Sequence, residues 1–199
     1  MRDDQVKRDM ASHQQRAGDL GTFAELFEQY KNLVYKTAYL LLNDAVQAEE
    51  ALQEVFVLVF KSLSSFDRQK GAFTTWLYRI TVNYCLSQRR RHRLSLQPLD
   101  RDHGLGAIEP GVASLAEREA VRQAISRLSD KQRSVVILRF YWDLPYAQVA
   151  QILDIPVGTV KSRIDLALRT LRRDLAQDQV NEVLESSSQG SASREECRP

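Results

Sequence analysis

Apolar residues recur every three or four positions along most of this chain, which is the spacing of amphipathic helices. In the first half, one such stripe covers residues 22–42 and a second covers residues 45–64. Asn43 and Asp44 separate the two stripes, and short polar residues of this kind favour helix ends. The pattern therefore predicts two antiparallel helices joined by a tight connection.

A polar segment at residues 65–71 separates these helices from a third apolar stripe. The third stripe ends in a basic run at residues 88–93 and contains Phe73, Trp76, Leu77, Ile80 and Tyr84. It predicts a third helix, which completes a first domain at residues 21–93. Residues 1–20 have no sustained pattern and are expected to form a flexible N-terminus.

Helical periodicity is lost at residues 94–114, where serine, proline and glycine recur without regular spacing, as in an extended linker. Periodicity returns at residues 115–176. Ser129 or Asp130 can cap a helix whose core is expected to contain Val135, Val136, Leu138 and Phe140. The last stripe begins at Pro156 and contains Val160, Ile164, Ala167, Leu168, Leu171 and Leu175. Residues 177–199, serine-rich and acidic, are expected to be disordered.

The whole pattern predicts an all-α fold of two small helical domains joined by a flexible linker, the C-terminal one a helix-turn-helix. Its short helix at residues 145–153 is followed by a turn through Asp154, Ile155 and Pro156. The longer helix that follows carries five basic and two acidic residues, a net charge of +3. A solvated charged helix would have the same composition, but this charge on a second helix favours DNA binding.

Composition adds few constraints to this picture. The chain has 199 residues, of which 43% are hydrophobic and 27% charged, and its net charge is only +2. Two distant cysteines, Cys85 and Cys197, do not suggest a disulfide framework, and no signal peptide or membrane-spanning stretch is evident. These features predict a reduced, cytoplasmic protein.

Neither an enzyme nor a cofactor site is indicated. His13, His92 and His103 are scattered along the chain, and no metal-ligand spacing joins them to Cys85. There is also no glycine-rich phosphate-binding loop. We therefore expect no catalytic residues, no metal and no cofactor.

Three segments carry motifs of one protein family: residues 155–163, IPVGTVKSR, residues 53–56, QEVF, and residues 73–80, FTTWLYRI. They resemble segments of bacterial RNA polymerase sigma factors of the extracytoplasmic-function (ECF) group. The first resembles the DNA-binding helix of that family, and the other two resemble its polymerase-binding and promoter-melting segments. The order and spacing of the segments also agree, and the resemblance extends from Phe23 to Leu175.

The resemblance implies a dissociable initiation subunit with core RNA polymerase and promoter DNA as partners. The first domain would bind polymerase and open the minus-ten element, the second would bind the minus-thirty-five element, and the linker would thread through polymerase. An anti-sigma partner is usual in the family. Direct insertion into a membrane is not expected.

Site residues follow from the same resemblance, together with the helical faces. The minus-thirty-five set is Thr159, Lys161, Ser162, Arg163, Asp165, Leu166, Arg169 and Arg173. The minus-ten set is Phe66, Asp67, Arg68, Gln69, Lys70, Gly71, Asn83, Arg89, Arg90 and Arg91. The polymerase-binding set is Asp44, Glu49, Glu50, Gln53, Glu54 and Val57, which without the resemblance would be read as a solvated acidic surface.

Particular positions carry further expectations. Trp76 falls in register with Phe73 and Ile80, so it is assigned to the core in preference to base stacking. Asp165 and Leu166 replace residues common in relatives: aromatic or basic at the first, arginine at the second. Asp165 could accept a hydrogen bond from cytosine or could repel phosphate, and Leu166 could pack on a thymine methyl group.

A stand-alone repressor is the alternative function. In that case residues 1–93 would form an effector or dimerisation domain, and the helix-turn-helix would bind an operator unaided. The segments around Gln53 and Trp76 argue against it. Promoter-specific initiation by core polymerase with the purified protein would separate the two.

Overall fold

A computed structural model of the protein describes residues 22–67, 69, 71–94 and 115–192. Every regular element in those ranges is helical, so the fold is all-α as the sequence predicts. The predictions for residues 1–20 and for the linker at residues 95–114 lie outside the described residues. No helix in the described ranges is long and apolar enough to cross a membrane.

The first domain begins with helices α1, Phe23–Leu42, and α2, Ala45–Ser62. Thr22 and Glu25 form a reciprocal capping box at the start of α1. Asn43 ends this helix in the left-handed conformation with φ 58°, which asparagine tolerates better than most residues. Asp44 then caps α2, so the polar pair reverses the chain as predicted.

A short 3-10 turn, Leu63–Ser65, links α2 to the loop before helix α3, Phe73–Leu94. The three helices bury one face each around Leu26, Val34, Val55, Val59 and Leu77. Phe23, Phe27 and Phe56 pack edge-to-face at the start of α1. The periodic stripes of the sequence therefore correspond to the observed core.

The second domain contains helices α4, Leu115–Arg127, α5, Asp130–Val136, α6, Tyr146–Leu153, and α7, Val157–Ala192. A π-helical segment, Ile137–Tyr141, continues α5. Ser129 caps α5 in a capping box with Gln132. Asp154 ends α6 with φ 53°, and the backbone N–H groups of Thr159 and Val160 donate to the carbonyl of Pro156, which immediately precedes α7.

The structure differs from two sequence expectations about this domain. Helix α7 continues to Ala192, whereas disorder was expected from residue 177. Residues 177–192 contain no proline and several good helix formers, so the helix that begins at Val157 continues into them. Phe140 was assigned to the core but is 53% exposed, because the change to π-helical pitch at Ile137 rotates later side chains off the α-helical register.

The two domains share one apolar core. Tyr39, Tyr78 and Val82 of the first domain belong to the same buried cluster as Val149 and Ile152 of the second. The rings of Tyr78 and Trp142 lie 5.5 Å apart across the boundary. The sequence predicted two separate domains, and the structure shows them packed directly on each other.

Candidate nucleic-acid interface

The loop between α2 and α3 is built on an aromatic cluster. The Phe66 ring lies 5.4 Å from the Phe73 ring and 5.3 Å from the Trp76 ring. Asp67 is exposed and accepts a hydrogen bond from the backbone N–H of Gln69 at 3.0 Å, a local turn. Gly71 has φ +154°, a conformation that side chains disfavour. Arg68 and Lys70, two predicted minus-ten residues, lie outside the described residues.

A cavity of about 370 Å³ opens beside this loop. Phe66 and Trp76 supply aromatic surface, whereas Asp67, Thr75 and Arg79 supply polar groups. The second domain completes the lining with Gln151 and Asp154. Trp76 is half-buried: it packs on the core, as predicted, and also lines the cavity. An aromatic surface with polar groups beside it can hold an unstacked base.

The basic end of α3 divides into free and engaged cations. Asn83, Arg90 and Arg91 are exposed, as a DNA contact requires. Arg89 is not: its Nε lies 2.5 Å from Asp130 Oδ1, and its Nη1 donates to the carbonyl of Leu41 at 3.0 Å. In this arrangement Arg89 joins the two domains, and its assignment as a minus-ten contact stays a prediction.

Helix α2 presents an acidic face with apolar residues within it. Glu49, Glu50, Gln53 and Glu54 are exposed, and Val57 is 43% exposed. Val46 and Leu58, at 55% and 40% exposure, lie on the same helix but were not predicted. Their spacing to Glu50 and Glu54, four positions in each case, could have identified them. We call these seven residues the α2 surface.

Asp44 does not belong to the α2 surface. Its side chain accepts a hydrogen bond from the backbone N–H of Gln47 at 3.0 Å, and the Gln47 amide donates to it at 3.1 Å. The residue is 7% exposed. Because a helix N-terminus needs an acceptor for its unpaired N–H groups, this carboxylate caps α2 and leaves little of its surface for a partner. Polymerase binding by Asp44 stays a prediction.

The predicted DNA-reading residues lie on the first turns of α7. Lys161, Ser162, Asp165, Leu166, Arg169 and Arg173 are exposed, and Thr159 and Arg163 are half-buried. Asp165 and Arg169 form an ion pair, and Arg173 pairs with Asp174 at 3.1 Å. The face therefore points outward, and two of its cations, Arg169 and Arg173, are each paired with a carboxylate of the same helix.

An exposed aromatic group beside the helix-turn-helix was missed by the sequence reasoning. The Arg139 guanidinium lies 5.9 Å from the Phe140 ring and 5.5 Å from the Tyr146 ring. Arg139 also donates to Asp143 at 2.6 Å, and this hydrogen bond raises the pKa of the guanidinium. Helical spacing placed Phe140 inside, so no signal in the sequence pointed to this cluster.

No metal centre is indicated in the part of the chain that the structure describes, where no three His, Cys, Asp or Glu residues group together. Cys85 is fully buried, and burial raises the pKa of its thiol to about 12. The thiol is therefore protonated near neutral pH and has no nucleophilic character.

Two family profiles match the two domains separately. The profile for Sigma-70 region 2 matches residues 26–94, and the profile for Sigma-70 region 4 matches residues 118–171. The match boundaries agree with α1–α3 and with the helices of the second domain through the first half of α7.

Relatives resemble the chain over most of its length. It is 34% identical to the ECF RNA polymerase sigma factor SigW of Bacillus subtilis, over 81% of this chain and 93% of that protein. It is 32% identical to SigK of Mycobacterium tuberculosis, over 86% and 92%. It is also 33% identical to RpoE of Cereibacter sphaeroides, over 79% and 88%.

Solved structures show the same fold at lower identity. The sigma factor RpoE of Bartonella quintana, in complex with the anti-sigma factor NepR, has a TM-score of 0.63 at 24% identity, covering 77% of this chain and 96% of that one. CnrH in complex with the cytosolic domain of CnrY has a TM-score of 0.61 at 22% identity, covering 85% and 98%. The two family profiles match both domains in the expected order, and the relatives are 32–34% identical over most of the chain. The chain therefore belongs to the ECF family of RNA polymerase sigma factors.

Proposed function

We propose that this ECF sigma factor, which binds core RNA polymerase and directs promoter-specific transcription initiation, uses a separate surface for each of three functions. The α2 surface binds polymerase, the loop before α3 with the exposed end of α3 captures the melted minus-ten strand, and the start of α7 reads the minus-thirty-five element. Polymerase supplies the catalysis and this chain the recognition. The chain then acts where polymerase and the chromosome are, in the bacterial cytoplasm.

The composition of the α2 surface is the observation that carries the polymerase assignment. Val46, Glu50, Gln53 and Val57 are spaced by four, three and four residues and so share one helical face. Apolar groups exposed within an acidic face have no partner in the described part of the chain. Such a face suits a helix that offers both apolar contacts and cations.

The minus-ten assignment rests on aromatic surface beside cations. Phe66 and Trp76 offer ring faces to a base, whereas Arg90 and Arg91 are free to neutralise phosphates. Arg89 joins them only when its contact with Asp130 is broken. For the minus-thirty-five element, Lys161 and Ser162 are exposed on the second turn of α7, where a recognition helix meets base edges.

An anti-sigma protein is the further partner that we propose. Both solved neighbours are described as complexes, one with the anti-sigma factor NepR and one with the cytosolic domain of CnrY. A protein encoded beside this chain and co-purifying with it would be the candidate. It should abolish initiation when added in equal amount to the purified sigma factor.

Charge reversal on the α2 surface tests the polymerase assignment. The variant Glu50→Lys with Glu54→Lys should lose at least about tenfold in affinity for core polymerase, because the two lysines would repel a basic surface on the partner. Glu28→Lys, at an exposed acidic site on α1, is the control for a charge reversal outside the α2 surface and should bind as the wild type does. Circular dichroism should show unchanged helix content in all variants. Unchanged affinity of the double variant would exclude this role.

Transcription by the reconstituted holoenzyme tests the function as a whole. Core polymerase with the purified chain and genomic DNA should produce transcripts whose upstream regions share two sequence elements. A repressor would instead bind duplex DNA tightly by itself and add nothing to polymerase. Transcript mapping therefore decides between the two functions.

A further inference from the structure

Leu166 is a large apolar side chain that lies on the outward face of α7 and is 52% exposed. That face carries exposed residues spaced by four, three and four positions: Ser162, Leu166, Arg169 and Arg173. Residues at this spacing lie on the same side of a helix. Leu166 is therefore an apolar group within a face that is otherwise hydroxylic and cationic.

Val157 is the other large apolar residue that the structure describes as exposed on α7, at 40% exposure. It begins the helix, nine residues before Leu166, which is about two and a half turns. The two side chains therefore lie on opposite sides of α7. Ala167, next to Leu166 in sequence, is fully buried in the core of the domain. Leu166 thus follows the polar face and not the apolar stripe of its helix.

Cations around this face favour DNA as its occupant. Arg163 lies on one flank of the face, and Arg173 lies about two turns beyond Leu166. Cations at the sides and far end of a recognition helix meet the phosphates that border the groove, whereas the middle of the face meets base edges. An apolar protein surface placed on Leu166 would instead leave these cations without partners, which costs free energy.

The charged groups beside Leu166 are engaged with each other. Asp165 and Arg169 form an ion pair along the helix. Reading a cytosine amino group with Asp165 would require this pair to be broken. Leu166 is then the side chain of this turn that meets a base edge without giving up a bond.

An apolar side chain finds one kind of apolar partner in the major groove. Of the base edges exposed there, only that of thymine presents a methyl group, at C5. Packing Leu166 on this methyl group removes apolar surface of both partners from water. Against an adenine, guanine or cytosine edge, the same side chain would cover donors or acceptors without bonding to them. Both effects favour a pyrimidine that carries a 5-methyl group.

We infer that Leu166 selects a 5-methylpyrimidine at one position of the minus-thirty-five element. Thymine supplies the methyl group in unmodified DNA, and 5-methylcytosine supplies it where cytosine has been methylated. The inference rests on the proposed function of α7, because it requires this face to enter the major groove. Asp165 is assigned to its ion pair with Arg169 and to no base.

Promoter selection by the holoenzyme locates the position. The upstream element of one promoter found by transcript mapping is randomised, and the templates that core polymerase transcribes with the purified chain are sequenced. The wild type should favour thymine about tenfold over the other bases at one position. Leu166→Ala should lose that preference and keep those at other positions. Val121→Ala is the matched control, because it truncates a side chain on α4 that is 43% exposed, and it should retain the preference.

Base analogues then isolate the methyl group. Replacing the selected thymine by deoxyuridine removes only the methyl group and should weaken binding of the wild-type holoenzyme to the labelled promoter about fourfold. Replacing cytosine by 5-methylcytosine in a C·G pair at the same position adds the methyl group and should strengthen binding. With Leu166→Ala neither exchange should change the affinity, because the partner of the methyl group is gone. Leu166→Met keeps an apolar side chain of similar size and should remain sensitive to both exchanges.

The outcomes separate this inference from the proposed function. If the wild type initiates at specific promoters but binds deoxyuridine and thymine equally at every position of the upstream element, the selection by Leu166 is overturned and the function stands. A Leu166→Ala variant that keeps every base preference, or that loses initiation equally on all templates, would also overturn it. If the wild type supports no initiation with core polymerase, both fail.

Discussion

Arg133 is a fully buried cation at the point where the two domains meet. It is 1% exposed and donates to the carbonyls of Leu41, Ile125, Ser126 and Leu128. These carbonyls end α1 and α4, where helices leave acceptors unpaired and carry partial negative charge. The guanidinium thus joins the C-terminal ends of two helices that belong to different domains.

Replacing Arg133 by methionine should lower the free energy of unfolding by about 3 kcal/mol, because buried acceptors are left without donors. Arg133→Lys should be intermediate, since an ammonium keeps the charge but cannot serve acceptors spread over a planar fork. Urea denaturation monitored by circular dichroism measures both values. A methionine variant as stable as the wild type would show that these hydrogen bonds contribute nothing net.

Cys85 should be unreactive in the folded protein. Burial raises its thiol pKa from 9.0 to about 12, so the thiol keeps its proton to a higher pH in the folded state than in the unfolded state. The corresponding contribution to stability is complete below pH 9.0 and is lost as the pH rises towards about 12. In a Cys197→Ser variant at pH 8, a disulfide reagent such as DTNB should react only after urea is added. Rapid labelling without urea would mean that the shared core opens readily.

At the scale of elements, helix positions and caps were predictable from the sequence because both are local. Thr22 and Ser129 are residue types that favour the N-cap position, so they indicate where helices begin. The apolar stripes indicate which face of each helix is buried. The same local evidence cannot distinguish a carboxylate that caps a helix from one that binds a partner, as Asp44 shows. It also cannot anticipate the π-helical segment that exposes Phe140.

The ion pair on α7 leads to a prediction about DNA affinity. Asp165 neutralises Arg169 in the free protein. Asp165→Ala should therefore leave one more cation facing DNA, tighten binding to non-specific duplex about threefold and steepen its salt dependence by about one counterion. Fluorescence anisotropy over a salt series measures both. Weaker binding limited to sites with one particular base pair would instead indicate that Asp165 contacts a base.

For the whole molecule, the shared apolar core is the feature that the sequence could not reveal. A stripe of apolar residues indicates that a helical face is buried, but it does not indicate which helix covers that face. The sequence pattern around Tyr78 and Val149 would be the same if the two domains were separate. The contact is not fully satisfied: among the described residues, the buried Trp142 Nε1 has no acceptor. An unpaired N–H costs about 1–3 kcal/mol, which reduces the stability that the contact between the domains contributes.

A core common to both domains should make unfolding a single transition. The chain has two tryptophans, Trp76 in the first domain and Trp142 in the second, so each domain has its own fluorescent probe. In Trp142→Phe and Trp76→Phe variants, the remaining tryptophan should report the same urea midpoint as circular dichroism, because neither domain keeps its buried face when the other unfolds.

Weakening the interface should then separate the two probes. Adding Arg89→Ala to each single-tryptophan variant removes the donors to Asp130 and to the Leu41 carbonyl, while leaving the apolar core of the first domain unchanged. The two midpoints should move apart, with that of the less stable domain falling further. Midpoints already separate in the parent variants would mean that the domains unfold independently and that their contact adds little stability. If the midpoints coincide in the parent variants and separate when Arg89 is lost, the size of the separation measures how strongly the packing of the two domains couples their unfolding.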